Sequence, residues 1–209
     1  MFSWMSPQAA ASLPRHESNS PLPSLSPLTL SSPNPKADIL PRVLAEELRN
    51  LLPARLQLQD TWELIYSLDL HGVSLRTLYD KCQPFGGRRS GFLLVVKNLD
   101  GEIFGAFSNE RFKPFPHYFG NGECFLWKTI FQGSDLHRFE AFPYAGRNEY
   151  MVFCEHSFLS VGGGEGRYGL WLDDSLRYGV TEKCPAFGNE ELSSSHKFYI
   201  AGVEVWGIQ

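Results

Sequence analysis

Hydrophobic residues along the chain follow two different spacings, and the change between them separates a helical beginning from a strand-rich remainder. After Asp38, the predicted N-cap, apolar side chains recur at helical spacing through Leu52, with Pro41 in the first turn. Pro53 ends this helix, because proline lacks the backbone donor that a helix interior requires. A second short helix is predicted from Ser74 onward.

Most of the remaining chain carries strand patterns separated by turn residues. Alternating side chains at residues 62–68 indicate a strand with one buried face. The apolar run 92–97, a turn at 98–101 and the returning run 102–107 predict a β-hairpin. Further strands are predicted at residues 124–131, 139–142, 150–154, 169–172 and 198–206. Because no long helix intervenes, we predict an α+β fold of two mostly antiparallel β-sheets packed as a sandwich, with short peripheral helices.

The first 37 residues differ in composition from the rest of the chain. Residues 1–36 contain seven of the 14 prolines, nine serines and only three charged residues. Such a segment buries too little apolar surface to offset its chain entropy. We therefore predict a disordered Pro/Ser-rich arm over residues 1–37 and one domain over residues 38–209. The serines around Arg15 resemble a mitochondrial transit peptide, but prolines interrupt the amphipathic helix that such a peptide needs.

Composition and charge exclude two classes of partner. Of the 209 residues, 43% are hydrophobic and 20% are charged, which is typical of a folded globular protein. A formal net charge of −4 with scattered lysines and arginines argues against nucleic-acid binding, because phosphate neutralisation dominates that affinity. No apolar run approaches the ~18 residues that span a bilayer. We therefore expect neither nucleic acid nor integral membrane contact.

A glycine-rich segment resembles a nucleotide-binding motif by its letters alone. Residues 164–169 match G-x-G-x-x-G, which binds a pyrophosphate where a strand leads into a helix. Here residues 170–173 have the pattern of a strand, so a nucleotide site is disfavoured. Three consecutive glycines favour a sheet bend, and a surface on which a partner's backbone docks is the alternative. On that alternative, the candidate partner-contact residues are Gly162, Gly163, Gly164 and Glu165.

The residues that could support catalysis do not form a recognisable set. The four cysteines, Cys82, Cys124, Cys154 and Cys184, include no C-x-x-C pair. Cys154 and His156 would share one face of a strand, as a nucleophile and its base or as two metal ligands. Because Cys154 closes an apolar run, a structural cysteine is favoured. No serine-hydrolase elbow or zinc-protease motif occurs. We therefore predict a non-enzymatic protein with no catalytic residue, metal site or cofactor.

Seven ordered motifs within residues 38–209 resemble TLDc domains, which define the oxidation-resistance protein family. They are WELIYS at 62–67, HGVSLRTLY at 71–79, IFGAF at 103–107, GNGECFL at 120–126, GGGEGRYGLWLD at 162–173, CPAFGNE at 184–190 and VEVW at 203–206. One departure is Ala186, which stands where the family usually has threonine, so one side-chain hydroxyl is missing. The chain is identified as a compact member of this family.

The resemblance implies a β-sandwich with peripheral helices and a role in resistance to oxidative stress. It also implies binding to the vacuolar-type proton pump, the V-ATPase, through its peripheral stalk and catalytic-sector subunits, with disassembly or inhibition of the pump as the effect. A monomer in the cytoplasm is expected, recruited to the vacuolar membrane through the pump, with a mitochondrial pool left open. Two alternatives remain: a thiol-based antioxidant enzyme using Cys154 or Cys124, and a membrane-traffic adaptor.

Overall fold

The computed structural model describes residues 25–36, 38–85, 87, 90–132 and 135–209, and residues 1–24 of the predicted arm lie outside this part. Its helices are α1 (Arg42–Arg49), α2 (Ala54–Gln57), α3 (Leu68–His71) and α4 (Leu75–Cys82), followed by a 3₁₀ turn at Gln83–Phe85. Its strands are β1 (Thr29–Ser31), β2 (Thr61–Ser67), β3 (Gly91–Asn98), β4 (Ile103–Ser108), β5 (Phe125–Gln132), β6 (Asp135–Pro143), β7 (Val152–Cys154), β8 (Phe158–Gly164), β9 (Arg167–Asp173), β10 (Tyr178–Val180) and β11 (Lys197–Ile208). Within the described residues, no helix is long and apolar enough to cross a membrane.

Strand β11 joins two sheets, because its two ends pair with different neighbours. Residues 197–199 pair with β10, and residues 200–208 pair with β3, and in part with β2. The register shifts between Ile200 and Gly202, and such an irregularity bends a strand and increases its twist. Sheet A therefore has the order β1-β2-β11-β3-β4-β5-β6, and sheet B has the order β11-β10-β9-β8-β7. All these pairs are antiparallel except β1 with β2.

The main hydrophobic core is one cluster of buried side chains from both sheets, which confirms the predicted α+β sandwich. Sheet A contributes from β3 and β4, and sheet B contributes from β8 and β9. Fully buried members of this core include Phe92, Leu94, Val96, Phe104, Leu159, Val161, Leu170 and Leu172. Phe104 and Phe198 pack edge to face with ring centroids 4.9 Å apart, a geometry that aromatic quadrupoles favour.

A second cluster covers the other face of sheet A. Leu44 and Leu48 of α1 and Leu56 of α2 pack with buried rings of the sheet, among them Trp62 and Trp127. Helix α1 is amphipathic, so its apolar stripe is buried against the sheet while Arg42 and Glu47 face solvent. The predicted helices are therefore present and peripheral.

The two predicted helix starts have different outcomes. At α1 the N-cap is Pro41, whereas Asp38 accepts a hydrogen bond from the Ser32 hydroxyl at 2.7 Å. The predicted N-cap at Asp38 is therefore wrong, because its carboxylate is hydrogen-bonded to Ser32 and the helix begins only at Arg42. At α4 the prediction is confirmed, since the Ser74 hydroxyl accepts a hydrogen bond from Thr77 N at 3.2 Å.

Part of the predicted arm has defined contacts with the domain. Leu28 is buried in the cluster beneath α1, and its backbone N donates to Glu46 Oε1 at 2.8 Å. The fully buried Arg49 guanidinium donates to the carbonyls of Ser26 at 2.6 Å and Gln57 at 2.7 Å. Residues 29–31 then form β1 beside β2. The structure thus differs from the predicted arm here, because an apolar side chain and a buried cation anchor an otherwise polar segment.

Two further strands, β8 and β10, were not predicted. The three consecutive glycines at 162–164 favour a sheet bend, and no strand is predicted before them, but residues 158–164 form β8, which pairs with β7 and β9. The bend follows immediately as a two-residue turn in which Glu165 and Gly166 have φ values of 55° and 75°. Two successive positive φ values define the type I′ turn that suits a twisted hairpin. Glycine therefore marks the turn and not the whole segment.

Candidate functional site

The glycine segment that sequence analysis offered as a partner contact is mostly internal. Gly162 and Gly163 are buried and Gly164 is half-buried, whereas Glu165 is exposed at the hairpin tip. A Cβ at Gly162 would lie 2.8 Å from Cys184 Sγ, and a Cβ at Gly163 would lie 2.9 Å from the Tyr118 hydroxyl. These glycines permit close packing inside the domain. Glu165 is the one member of the set that offers an exposed side chain.

All four cysteines are free thiols in buried positions. Burial raises the pKa of Cys82 and of Cys154 to about 12, and burial also raises the pKa of Cys124 and of Cys184. The thiolate is the nucleophilic form of cysteine. Each of these environments therefore favours the neutral thiol over the thiolate.

Cys154 and His156, the candidate nucleophile and base, differ in environment. Cys154 ends β7 inside the core, while His156 is exposed in the following turn. The predicted strand alternation stops at Cys154, so the two side chains do not share a strand face. Both line a shallow groove of about 410 Å³ beside Pro114 and Phe115. Within the described residues, no group of three or more His, Cys, Asp or Glu side chains is placed to hold a metal ion.

A continuous line of aromatic rings crosses the outer face of sheet B. We call this surface the aromatic row, and its members in spatial order are Tyr150, Tyr118, Phe153, Phe158, Trp171 and Tyr178. Neighbouring ring centroids are separated by 4.5 Å for Tyr118–Tyr150 and by up to 6.0 Å for Phe158–Trp171. Five of the rings are half-buried, and Tyr150 is 45% exposed. The row therefore presents aromatic surface to solvent.

Strand alternation accounts for this placement. In β7 and β9, the side chains of Val152, Cys154, Leu170 and Leu172 enter the core, and the alternate positions between them carry rings of the row. Ser160 is buried beneath the rings, and its hydroxyl donates to the Phe153 carbonyl at 2.8 Å. The backbone under the row is thus held by sheet pairing and by this hydrogen bond.

Charged groups lie beside the row. The Lys197 ammonium lies 4.5 Å from the centroid of the Tyr178 ring. Glu149 and Glu155 are exposed, and Asp173, 5% exposed, accepts hydrogen bonds from the backbone N of Arg177 at 2.9 Å and of Tyr178 at 3.0 Å. Within the described residues, no ion pair joins any of these three carboxylates to a cation.

The aromatic row is not predicted by the sequence patterns. No strand is predicted between Cys154 and Gly169, so Phe158 has no strand face and the line of rings is interrupted. Tyr118 lies in a loop, and Tyr150, the first residue of the strand predicted at 150–154, also lies in a loop because β7 begins at Val152. The usable signal was the alternation of rings with core residues around Phe153 and Trp171, together with an aromatic content of 14%.

Comparison with known proteins agrees with the motifs. The TLDc domain model matches residues 34–209. The chain belongs to the TLDc domain family. The chain is 46% identical over 195 residues to "Oxidation resistance protein 1" of Yarrowia lipolytica, covering 91% of this chain and 83% of that protein. Proteins with the same name are 42% identical in Podospora anserina, with 90% and 66% covered, and 40% identical in Saccharomyces cerevisiae, with 88% and 79% covered.

Proposed function

We propose that this domain is a non-catalytic protein-interaction module in oxidative-stress resistance, which binds the V-ATPase and promotes its disassembly or inhibition. The observation that supports the interaction role is the aromatic row, a line of half-buried rings that present aromatic surface to solvent on an ordered sheet. Aromatic side chains are enriched in protein interfaces, where large rigid rings contribute much of the binding energy. The oxidative-stress role rests on the family and the names of the relatives.

The pump is proposed from the family resemblance, with the peripheral stalk and the catalytic-sector subunits as the partners. A binder shifts an assembly equilibrium only through different affinities for its two states. The domain would therefore bind separated sectors, or a strained subunit, more tightly than the intact pump. Its net charge of −4 would favour encounter with a basic surface of the pump. On this proposal, the protein is a cytoplasmic monomer recruited to the vacuolar membrane.

Thiol-based antioxidant catalysis has weaker physical support. A reactive cysteine requires an exposed, electropositive environment that stabilises the thiolate. The four cysteines are buried, and burial raises the pKa of each of them. Resistance to oxidants would then arise from the partner's altered state, without electron transfer to this chain.

The pump proposal is tested with vesicles that carry the assembled V-ATPase. Purified full-length chain is added in a salt-matched buffer, and bound chain, released catalytic sector and ATP hydrolysis are measured after sedimentation. We expect the chain to sediment with the vesicles, the catalytic sector to appear in the supernatant and hydrolysis to fall. Unchanged assembly and hydrolysis, with no bound chain, would rule out the pump as partner.

Two variants separate the alternatives. Replacing the four cysteines by alanine should leave pump binding and cellular oxidant tolerance intact, provided that circular dichroism shows a folded domain. Loss of tolerance in the folded variant would support thiol catalysis instead. Deleting residues 1–24 removes most of the predicted arm and keeps the described domain whole, so retained binding argues against an adaptor that works through the arm.

A further inference from the structure

The aromatic row already binds one cation at its end. The exposed Lys197 extends from β11, and its Nζ lies 4.5 Å from the centroid of the Tyr178 ring. A ring face attracts a cation through the quadrupole of its π system, and the attraction is strongest for tryptophan. The faces of Tyr178, Trp171 and Phe158 belong to one unbroken line of ring contacts. The contact of Lys197 therefore indicates which chemistry this surface accepts.

Exposed carboxylates beside the row also favour a cationic ligand. The exposed Glu149 precedes Tyr150, and the exposed Glu155 follows β7. Within the described residues neither of these two has an ion-pair partner. The exposed Arg167 is the first residue of β9, and the exposed Arg177 directly precedes β10. The chain as a whole carries a net charge of −4, which favours a basic partner.

We propose that the aromatic row is the binding surface for an extended, arginine-containing segment of a partner protein. Guanidinium groups would stack on the rings of Phe158, Trp171 and Tyr178, and would pair at their edges with Glu155. Arginine fits better than lysine because its guanidinium is planar and weakly hydrated, so it stacks on a ring with a smaller desolvation cost. The inference rests on the proposal that the domain acts by binding, and it holds whichever protein carries the segment.

The spacing of the row suits an extended chain. Consecutive ring centroids from Phe153 to Tyr178 are 5.4, 6.0 and 5.8 Å apart. In an extended segment, alternate side chains on one face are separated by roughly 6.6 Å. Arginines at alternate positions would therefore meet successive rings without a change in the direction of the backbone.

The direct test measures binding of labelled peptides to the full chain by fluorescence anisotropy. The probe is a peptide of about 12 residues with arginine at alternate positions and glycine or serine between them. Matched peptides carry lysine or the neutral isostere citrulline at the same positions. We expect the arginine peptide to bind tightest, the lysine peptide more weakly and the citrulline peptide at least about ten times more weakly than arginine. Equal binding of the citrulline and arginine peptides would overturn the proposal.

Substitutions that remove a ring but keep apolar bulk identify the surface. Trp171→Leu and Tyr178→Leu should each weaken arginine-peptide binding by about 2- to 10-fold, with Leu58→Ala, 72% exposed, as the unaffected control. Phe158→Leu, which removes the third ring of the proposed contact, serves as a third variant if either of the others unfolds. Wild-type affinity in the folded leucine variants would show that ring faces are not required, and would overturn the proposal.

Lys197 supplies a test whose sign distinguishes the competing partners. Because its ammonium occupies the Tyr178 face, Lys197→Ala should free that ring and tighten arginine-peptide binding by about 2- to 5-fold. If the row were instead a site for an anionic partner that pairs with Lys197, the arginine peptide would bind neither wild type nor Lys197→Ala. That outcome would overturn the proposal. Self-association of the chain in analytical ultracentrifugation, abolished by Tyr150→Leu, would show that a second copy occupies the row, and would also overturn the proposal.

The pump assay distinguishes a failure of this inference from a failure of the proposed function. If the peptides behave as expected and the pump is not bound, the pump is the wrong partner and the row's chemistry stands. If the pump is bound equally by wild type and by Trp171→Leu, while the arginine peptide does not bind, the pump proposal stands and the assignment of the row is wrong.

Discussion

The outer faces of the two sheets are built from similar residues but have different coverings. On sheet A, α1, α2 and the segment around Leu28 bury tryptophans such as Trp62 and Trp127 completely. On sheet B, the ring of Trp171 and its neighbours stay half exposed. Exposed rings on an ordered sheet contribute less to folding than buried ones, because less apolar area leaves water. The covered face therefore contributes more to stability, and the open face is the one that we propose for partner binding.

The largest effect on stability is expected beneath α1. Leu48 is fully buried between this helix and sheet A. Leu48→Ala should lower the free energy of unfolding by about 2–5 kcal/mol, since a buried leucine leaves a cavity that closes only in part. Chemical denaturation monitored by circular dichroism measures this loss. A change below about 1 kcal/mol would mean that the covered face is not tightly packed.

A buried carboxylate of sheet A holds the segment that leads into α1. Glu204 of β11, 1% exposed, accepts hydrogen bonds from Ile39 N at 2.6 Å, Leu40 N at 3.3 Å and Trp206 Nε1 at 2.9 Å. Glu204→Ala leaves these donors without their acceptor and should destabilise the domain by about 2–4 kcal/mol. Glu204→Gln, which retains one acceptor oxygen, should cost less in the same denaturation experiment.

The same residue predicts a pH dependence. Burial raises the pKa of Glu204 above its ordinary value, so the folded state holds a proton that the unfolded state releases at intermediate pH. Its contribution to stability is therefore fully present below the unfolded pKa and is lost as pH rises through the folded pKa. Unfolding midpoints from acidic to neutral pH should show this fall in wild type, and a flatter profile in Glu204→Gln would confirm its source.

Two glycines of the β8–β9 hairpin in sheet B should differ in how much stability they lose when replaced by alanine. Gly162 and Gly166 both have positive φ, 81° and 75°, but a Cβ meets close neighbours only at Gly162. Gly166→Ala should cost about 1–2 kcal/mol from backbone strain alone. Gly162→Ala should cost more, because its Cβ would also crowd Cys184 Sγ at 2.8 Å and the Phe187 ring. Thermal unfolding of both variants tests the order, and equal losses would contradict the packing argument.

The smallest stability effect is expected in the aromatic row. Tyr150 is 45% exposed, and Tyr150→Ala should change the free energy of unfolding by less than about 1 kcal/mol. Its effect should instead be seen as weaker partner binding in the vesicle assay. A large loss of stability with unchanged binding would reverse the roles assigned to the two faces.

Much of the fold was predictable because its signals are local. Alternation of apolar and polar positions located β2, and two apolar runs around a turn located β3 and β4. The Ser74 cap located α4. These patterns depend only on neighbours in the chain. Strands β1 and β10 have three residues each, which is too short for a period to be read. Asp38 has the residue type of a helix cap, but in the folded structure its carboxylate accepts a hydrogen bond from the Ser32 hydroxyl. The sequence patterns do not show this contact.

The sequence by itself determined the family, the strand-rich composition and which strand positions favour burial, because motif order and side-chain period are properties of the chain. Only the tertiary structure decided which sheet face is covered and which stays open. Leu28 and Arg49 place the N-terminal segment over sheet A, and loop residues Tyr118 and Tyr150 complete the aromatic row over sheet B. These contacts join residues far apart in the chain, and their formation depends on the whole fold bringing them together.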